Sequence, residues 1–583
     1  MTYSPARPLE RNQSAGRLLI DKSDMVKPVE SSVPLLWSFS YRRRCQSFAM
    51  TKARLISLRD ILLLVVGASL YTLAYPPYAW SVAAWVTLTP LFLVLRGKSP
   101  RAGFVAGLLF GVFACIGVTA WVHFAIAAYF SLPFPLDVIC TFLSYVCFGG
   151  LYMGIVSALM CMLLRSFAQG TVPTWLRWSA VPALWVCGEY VRSTLVTGFS
   201  WGVLGYTQYQ QLSFIQIADI TGVYGLSFLL ALSSDIVTEG ILASGYYRKQ
   251  GDTSPRVSFP WIPLVAFTVT FLCSLWYGVQ KLRHYMVPPS EAPLAVALVR
   301  GDVPGEQRWQ RMYYGSTLLT YLSLTRRHLG TVQPAPVIWP EFALGFHLDQ
   351  EPRLRAQLNW FTKELNTFLL LGAPRTQIQD GVQHFYNSAY LLAPGGALVD
   401  VYDKKQLVPF AEYSLPFLPT FTNHTAEAPS EFTPGTRSTV FPLANNVFGV
   451  MICYEVTYPY LARDLVLNGA QFLVNIANDT WLNAGGEVAA TQHFALAVFR
   501  AVENRRVLVH VATQGISGFV DPSGRPSQES AAHEGVLIGN VAPHDTKTIY
   551  THYGDWFVWL SAGVALATLL WPVRSRYRQE KRP

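Results

Sequence analysis

From about residue 58 the chain is dominated by long apolar runs broken by short polar loops. Seven of them precede residue 284, near 60–77, 79–96, 103–127, 137–164, 178–196, 214–243 and 259–280, and an eighth lies at 556–573. Each is roughly 17 to 27 residues long, the length needed to cross the hydrocarbon core of a bilayer as a helix. Between the seventh and eighth runs the pattern changes to short β-rich segments separated by helical or turn-rich stretches. These are LAVALVR (294–300), VIW (337–339), TFLLLGA (367–373), YNSAYLL (386–392), VFGVMIC (447–453), FLVNIA (472–477) and RVLVHVAT (506–513). Buried strands alternating with helices predict a layered α/β domain. The expected fold is therefore an α-helical membrane bundle of about eight transmembrane helices with an α/β domain inserted before the last one.

Composition agrees with the pattern: 51% of residues are hydrophobic, 14% are charged and the mean hydropathy is +0.28, outside the range of an ordinary soluble chain. The net charge of +10 does not indicate nucleic acid, because the basic residues sit between apolar runs and form no stripe or arm. Their positions report topology. Arg96, Lys98 and Arg101 share one loop, Arg165 and Arg177 another, and Arg248, Lys249 and Arg256 a third, while the intervening loops have almost none. This alternation predicts a multi-pass membrane protein with both termini cytoplasmic and the 284–550 region outside; Lys281 and Arg283 run against it. The expected domains are a basic cytoplasmic extension (1–57), a seven-span region (58–283), an external α/β domain (284–550), and a last span with a basic tail (551–583). The extension carries Arg42-Arg43-Arg44 and has no apolar core with a small-residue cleavage site. Met50 opens MTKARLISLRD just before the first apolar run, so translation from Met50 is an equally plain reading.

Six of the eight cysteines lie in apolar segments and Cys45 in the extension, which leaves Cys453 alone in the polar region. A single cysteine makes no internal disulfide, so a working thiol becomes a candidate. Cys453 ends an apolar strand, at a turn before a helix expected from about Tyr458. Acyl transfer by a thiol needs a group to take its proton and a donor or cation to hold the oxyanion. Glu341, at the end of the strand in VIWPEFAL, and Lys404, in VYDKKQLVPFAEY, are placed for those tasks, with Glu412 a second carboxylate. Taken one at a time, each has a plainer reading, as an inert buried cysteine or a solvated surface charge. No metal site is expected, since the histidines lack HExxH-type spacing, and no nucleotide motif such as GxxxxGKS occurs. No cofactor is expected.

Together the three segments resemble the nitrilase, or carbon-nitrogen hydrolase, superfamily, whose catalytic residues occur in the order Glu, Lys, Cys. VNIANDTWLN (474–483), QHFALAVFRAVENRR (492–506) and ATQGISGFVDPSG (512–524) resemble its downstream segments. LAYPPYAW (73–80), EYVRSTLVTGFSWGVLGYTQYQ (189–210) and ITGVYGLSFL (220–229) are similar to the apolipoprotein N-acyltransferase family. The resemblance covers about 58–575 and implies an αββα catalytic domain with Glu341, Lys404 and Cys453 as catalytic residues. It also implies a thioester acyl-enzyme, a phospholipid donor such as phosphatidylethanolamine, and a diacylglyceryl apolipoprotein as acceptor. By motif, Trp309 matches a substrate-contacting tryptophan, and Glu412, Tyr454 and Glu455 match supporting positions. Lys404 is chosen over Lys405 for its spacing to Glu412; Arg300 and Gln514 depart from the family pattern. Apolar residues in two loops, Leu415 and Phe417, Trp481 and Leu482, are candidates to face lipid. Glu189, Arg192 and Asp219 lie in or near membrane segments, where a head-group site and a self-neutralising Glu189–Arg192 pair are the competing readings. Two other functions remain open: a membrane-tethered amidase or nitrilase, in which water resolves the acyl-enzyme, and a transporter with a soluble appendage.

Overall fold

The computed structural model describes residues 55–580 apart from 131, 197, 246–257, 286–292, 330–335, 415–430, 482–486 and 531–533. The extension before residue 55 lies outside the described residues.

Among the described residues, four helices are long and apolar enough to cross a membrane: Pro100–Val118, Leu136–Ala168, Val223–Ala243 and Trp261–Tyr285. The helices Leu58–Ala74, Arg177–Thr194 and Trp556–Glu580 coincide with three more of the expected spans. The apolar run near 79–96 does not form one helix. It is a 3-10 turn, Ser81–Trp85, followed by the short helix Thr89–Leu95, because Pro90 has no N–H to give and is tolerated only in a first turn. The run at 214–243 is likewise divided, with Gly222 at φ 63 separating two short helices from Val223–Ala243.

Helix packing in the bundle follows from small residues. Gly103, Gly107 and Gly111 recur every fourth position on Pro100–Val118 and lie against Cys161, Ser157 and Gly149 of Leu136–Ala168. A Cβ at Gly107 would sit 2.2 Å from the Met153 carbonyl oxygen, so the two backbones touch only because no side chain intervenes. Trp261–Tyr285 is the opposite case: Ile262, Val265, Val269, Leu272 and Trp276 are all exposed, an apolar face suited to lipid.

Two of the predicted loop cations, Arg96 and Arg177, converge on Glu239, while Arg248, Lys249 and Arg256 lie outside the described residues. Arg177 pairs with Asp235 (2.5 Å) and Glu239 (2.8 Å), Arg96 also reaches Glu239, and Lys98 pairs with Asp60 (2.6 Å). Lys281, which ran against the charge rule, lies 3.7 Å from Asp219 and is part of a different cluster.

The inserted domain contains two six-stranded sheets. The first is ordered β12-β1-β2-β3-β4-β5 and the second β11-β10-β9-β8-β7-β6. The strands are β1 Leu294–Arg300, β2 Val337–Ile338, β3 Leu369–Gln379, β4 Val382–Leu392, β5 Leu398–Asp403, β6 Val440–Leu443, β7 Asn446–Ile452, β8 Phe472–Ala477, β9 Leu508–Ala512, β10 Ser517–Val520, β11 Pro526–Ser530 and β12 Gly535–Val541. In each sheet the central strands are parallel (β1-β2-β3 and β7-β8-β9) and the flanking pairs antiparallel. Parallel strands are covered on both faces, which is why β8 is buried at every position.

Val296, Leu298, Ile338 and Leu370 of the first sheet meet Phe448, Val450, Ile452 and Val474 of the second in one core. On the far side of the first sheet, Tyr321 of Tyr314–Leu329 and Phe361 of Pro352–Leu365 cover Val299 and Trp339. The helices outside the second sheet, Pro459–Leu467 and Val488–Asn504, share a core with the bundle itself, in which Phe494 and Phe499 join Tyr206 and Phe214. The α/β domain thus has the expected αββα layers, and one helical layer is also part of the membrane region.

Candidate active site

Strand β7 delivers Cys453 into a 3-10 turn, Cys453–Thr457, with the cysteine itself at φ 54 and buried. A non-glycine residue in the left-handed region is strained and is held there by its surroundings. Glu455 supplies much of that hold. Its Oε2 accepts from the Ile452 N–H (2.7 Å), and its Oε1 accepts from the Tyr402 hydroxyl (2.7 Å) and the N–H groups of Lys405 (2.7 Å) and Gln406 (3.0 Å). One buried carboxylate therefore fixes the cysteine turn to the loop that carries Lys404.

Glu341 leaves the end of β2, and Phe342 after it is also left-handed at φ 49. Lys404 directly follows β5, its backbone N–H bonded to the Asn387 carbonyl at 2.8 Å. Its Nζ donates to Glu412 Oε1 (2.9 Å) and Glu341 Oε1 (3.2 Å), with all three side chains buried. Asn387 completes the arrangement, its Nδ2 donating to Glu341 (2.7 Å) and Glu412 (2.8 Å). Glu412 Oε2 takes the Val408 N–H at 2.7 Å, so Glu412 is saturated. Glu341 Oε2 accepts no hydrogen bond among the described residues, which leaves it free to take a proton.

Burial pushes the Cys453 thiol well above its ordinary range, Glu341 adds to the rise, and Lys404 opposes it. Burial thus favours the thiol form of the sulfur, which would have to lose its proton to act as a nucleophile. Burial alone would lower the Lys404 ammonium, but Glu341 and Glu412 more than offset it and keep Lys404 charged. The backbone N–H of Asn478 faces the sulfur as a further donor. The site thus brings together a thiol, a carboxylate with a free oxygen, and a fixed cation, the groups that covalent acyl transfer requires.

The residue after Cys453 joins the site to the membrane region. Tyr454 donates through its hydroxyl to the Gly198 carbonyl (3.1 Å) and stacks on Trp201, with ring centroids 5.8 Å apart and planes 11° off parallel. Phe199, Trp121 and His493 surround the same indole. An internal space lined by Phe110, Met153, Arg192 and Trp201 adjoins this stack within the bundle.

Of the other expected residues, Trp309 lies edge-on to Phe342 at 5.1 Å, beside Glu341. Lys405 turns away to the Ser438 hydroxyl (2.8 Å), leaving Lys404 as the lysine in the cluster. Gln514 donates to Asp302 at 2.9 Å, and Arg300 is buried at the end of β1. Leu415, Phe417 and Leu482 lie outside the described residues, as does the side chain of Trp481. Glu189 Oε1 accepts the Leu204 N–H (2.8 Å), and among the described residues Glu189 and Arg192 make no direct ion pair. Buried peptide groups demand partners, and the loop after the helix supplies one at the carboxylate. Arg192 keeps Nε and Nη2 buried without hydrogen-bond partners. Asp219 holds Arg505 (2.7 Å), Tyr277 (2.9 Å) and Lys281, so it docks the two regions and is not free for a head group.

Sequence reasoning missed Asn387, Gly372, Asp479, His493 and Trp201 as parts of the site. The last three stand inside motifs that carried the resemblance; Asn387 and Gly372 had no local signal. Asp479, His493 and His510 bring ligand-type atoms within 4.8 Å of one another, but both ring nitrogens of His493 already have partners.

A model of the apolipoprotein N-acyltransferase N-terminal domain matches residues 67–235, and a carbon-nitrogen hydrolase model matches 304–550. An apolipoprotein N-acyltransferase of Geobacter metallireducens is 33% identical over 517 residues, 88% of this chain and 95% of that one. This chain belongs to the apolipoprotein N-acyltransferase family. A second apolipoprotein N-acyltransferase, from Azotobacter vinelandii, is 28% identical over 553 residues, 90% of this chain and 96% of that one. Among solved structures, Saccharomyces cerevisiae Nit3 of the nitrilase superfamily aligns at TM-score 0.33 and 20% identity over 43% of this chain and 91% of that one. Within the family's two-part plan, the first model falls on the bundle and the second on the paired sheets.

Proposed function

We propose that this chain transfers a fatty acyl group from a membrane phospholipid to the N-terminal amine of an S-diacylglyceryl apolipoprotein, through a thioester on Cys453. The observation that carries the reading is the buried Glu341–Lys404–Glu412 cluster at a strained Cys453, one residue from an aromatic stack shared with the membrane bundle.

In the first half-reaction the sulfur attacks the ester carbonyl as Glu341 Oε2 takes its proton. Lys404 and a backbone N–H hold the tetrahedral oxyanion, and the C–O bond breaks as Glu341 returns the proton to the departing lysophospholipid. In the second, the acceptor amine attacks the thioester and gives its proton to Glu341, the amide forms, and the sulfur leaves and is reprotonated. Phosphatidylethanolamine is the proposed donor. Each acyl CH₂ withdrawn into water would cost about 0.8 kcal/mol, which favours a site built against the bilayer over one that extracts its lipids.

The basic loop cluster of Arg96, Lys98 and Arg177 supports a cytoplasmic face at that end of the bundle. We place the 284–550 domain on the periplasmic side of the inner membrane, the 58–283 bundle and the 551–583 segment in or beside the bilayer, and both termini in the cytoplasm.

The test is mass spectrometry of the intact enzyme after incubation with phosphatidylethanolamine. A fatty acyl adduct on Cys453, discharged by a diacylglyceryl peptide with a free N-terminus, is expected. An adduct discharged by water at the same rate with or without the peptide would turn the reading to a hydrolase. Its complete absence in active membranes would remove the covalent mechanism.

A further inference from the structure

Behind the nucleophile lies a buried group that the proposed mechanism does not use. His493, on the helix Val488–Asn504, has Nδ1 3.1 Å from Asp479 Oδ1 and Nε2 3.0 Å from the carbonyl oxygen of Cys453. A carboxylate and a peptide carbonyl are both acceptors, and an imidazole bonded to two acceptors needs a hydrogen on each nitrogen. We propose that His493 is a permanent imidazolium, a positioning residue that locks the Cys453 peptide and cancels the Asp479 charge beneath the sulfur. The proposal deepens the acyl-transfer reading and rests on it for its kinetic consequence.

Three further observations agree. The ring lies 6.0 Å from Trp201 and 24° from parallel, so a cation there gains from the indole face, whose stack continues to Tyr454. Burial works against a charged His493, but Asp479 and the Cys453 carbonyl outweigh it and raise the ring above its ordinary value. The charged and titratable groups facing the cluster are Asp479 from the turn after β8, Glu341 from the turn after β2, Arg300 from β1 and His510 from β9. His510 meets His493 edge to face at 5.2 Å and is pushed down to about 3 by burial and by His493, so it stays neutral. Two adjacent buried imidazoles with one charge between them leave His493 as the cation. The same bonding argues against a metal ion, since His493 has no lone pair to offer and Arg300 adds positive charge.

The consequence reaches the sulfur. Asp479 raises the Cys453 thiol through space, and an uncompensated carboxylate there would make deprotonation harder. The His493 hydrogen bond to the Cys453 carbonyl also holds the peptide whose left-handed turn aims the side chain.

The test uses the full-length enzyme in nanodiscs. With ¹⁵N-labelled histidine, His493 should show two protonated ring nitrogens at pH 7.5, assigned by its loss in His493→Gln and its shift in Asp479→Asn. A neutral tautomer overturns the proposal. In single-turnover acylation of Cys453 by phosphatidylethanolamine, His493→Gln keeps an N–H for the carbonyl but no charge. It should slow acylation by about tenfold to a hundredfold, with an unchanged phospholipid KM and a pH–rate limb moved upward. Removing the orphaned carboxylate in His493→Gln/Asp479→Asn should recover part of that loss. A double variant no faster than His493→Gln, with an unmoved limb, would mean a structural role only and defeats the proposal. Should His493→Gln not fold, the wild-type nitrogen state, assigned through Asp479→Asn, decides alone. Failure of the wild type to form any adduct would count against acyl transfer and leave the imidazolium result standing.

Discussion

Gly372, on β3, lies under the turn that presents Glu341. A Cβ added there would sit 2.6 Å from the Pro340 carbonyl oxygen, 2.7 Å from Glu341 Cα and 2.7 Å from the Phe342 nitrogen. All three atoms are backbone, so no flexible side-chain end can yield. Ordinary contact starts at 3.4 Å, so Gly372→Ala must move the Glu341 turn by roughly 0.7 Å. That turn is tied on every side: the Gly372 N–H bonds to the Pro340 carbonyl (3.2 Å), the Leu344 N–H to the Gly372 carbonyl (3.2 Å), and Phe342 is already left-handed. Overpacking of this kind costs about 1–3 kcal/mol, while a shift approaching 1 Å in a reacting group costs on the order of a hundredfold in rate. The expected variant is folded, modestly destabilised, and slowed about a hundredfold in single-turnover acylation of Cys453. Gly315→Ala, at a position with nothing within 4 Å of the new Cβ, is the control and should keep the wild-type rate. If Gly372→Ala acylates Cys453 as fast as Gly315→Ala, the position of Glu341 does not limit the chemistry and its assignment as the base is wrong.

Lys404→Met leaves Glu341 and Glu412 buried without their shared cation. Loss of about 3–5 kcal/mol of stability and of at least about a hundredfold in Cys453 acylation is expected by thermal melts and mass spectrometry. Lys404→Arg should not rescue it, because a planar fork does not replace a point charge between two carboxylates. Since Cys453 is held well above an ordinary thiol by burial and then by Glu341, its alkylation by a small thiolate-selective reagent should keep rising as pH increases past 9. A plateau near the free-thiol value of about 8.5 would show a normal thiol. At the docking surface, Arg505→Ala and Asp219→Ala should each lower the melting temperature. A double-mutant cycle should give coupling of about 1–3 kcal/mol for their buried pair at 2.7 Å, and additivity would show that the contact is not energetically joined.

The chemistry was more legible in the sequence than the layers that hold it. β1 and β8 fall at their predicted positions, 294–300 and 472–477, because strands buried on both faces read as unbroken apolar runs. The antiparallel strands β5, β6, β10, β11 and β12 were not foreseen. LVDVYD and GVLIGNV are only partly buried, and PSQES has no apolar signal at all, so their pairing depends on neighbours far away in the chain. Glu341, Lys404 and Cys453 were visible as residue types at or near strand ends, and Glu412 as a carboxylate eight residues after Lys404. Asn387, which bridges both carboxylates, was not, since an asparagine within a strand carries no mark of which face it serves. Apolar length overstated the second span, because hydropathy averages across Pro90, where the backbone has to restart.

The segment QHFALAVFRAVENRR explains why the bundle and the active site act as one unit. A surface helix has one apolar stripe, but Val488–Asn504 is buried on nearly all sides, and its polar residues are there to satisfy other elements. Gln492 accepts from Trp121 Nε1 (3.0 Å) and donates to the carbonyls of Pro76 (2.9 Å) and Val118 (2.8 Å), all within the membrane region. The next residue, His493, bonds the nucleophile's own carbonyl. Two turns on, Arg500 donates to the Val456 carbonyl within the cysteine turn (3.2 Å) and to the Tyr206 hydroxyl of the bundle (3.1 Å). Glu503, paired with Arg500 at 2.7 Å, receives the Val223 N–H that starts a membrane helix. This helix therefore holds the Cys453 turn through His493 and Arg500 and the bundle through Gln492, Arg500 and Glu503. Separating the two regions would strand buried arginine, glutamate and glutamine groups, each without a partner and at a cost of several kcal/mol together. If the proposed acyl transfer holds, lipid would then have to reach the sulfur by local movement of side chains and loops, with the α/β domain fixed on its helical base.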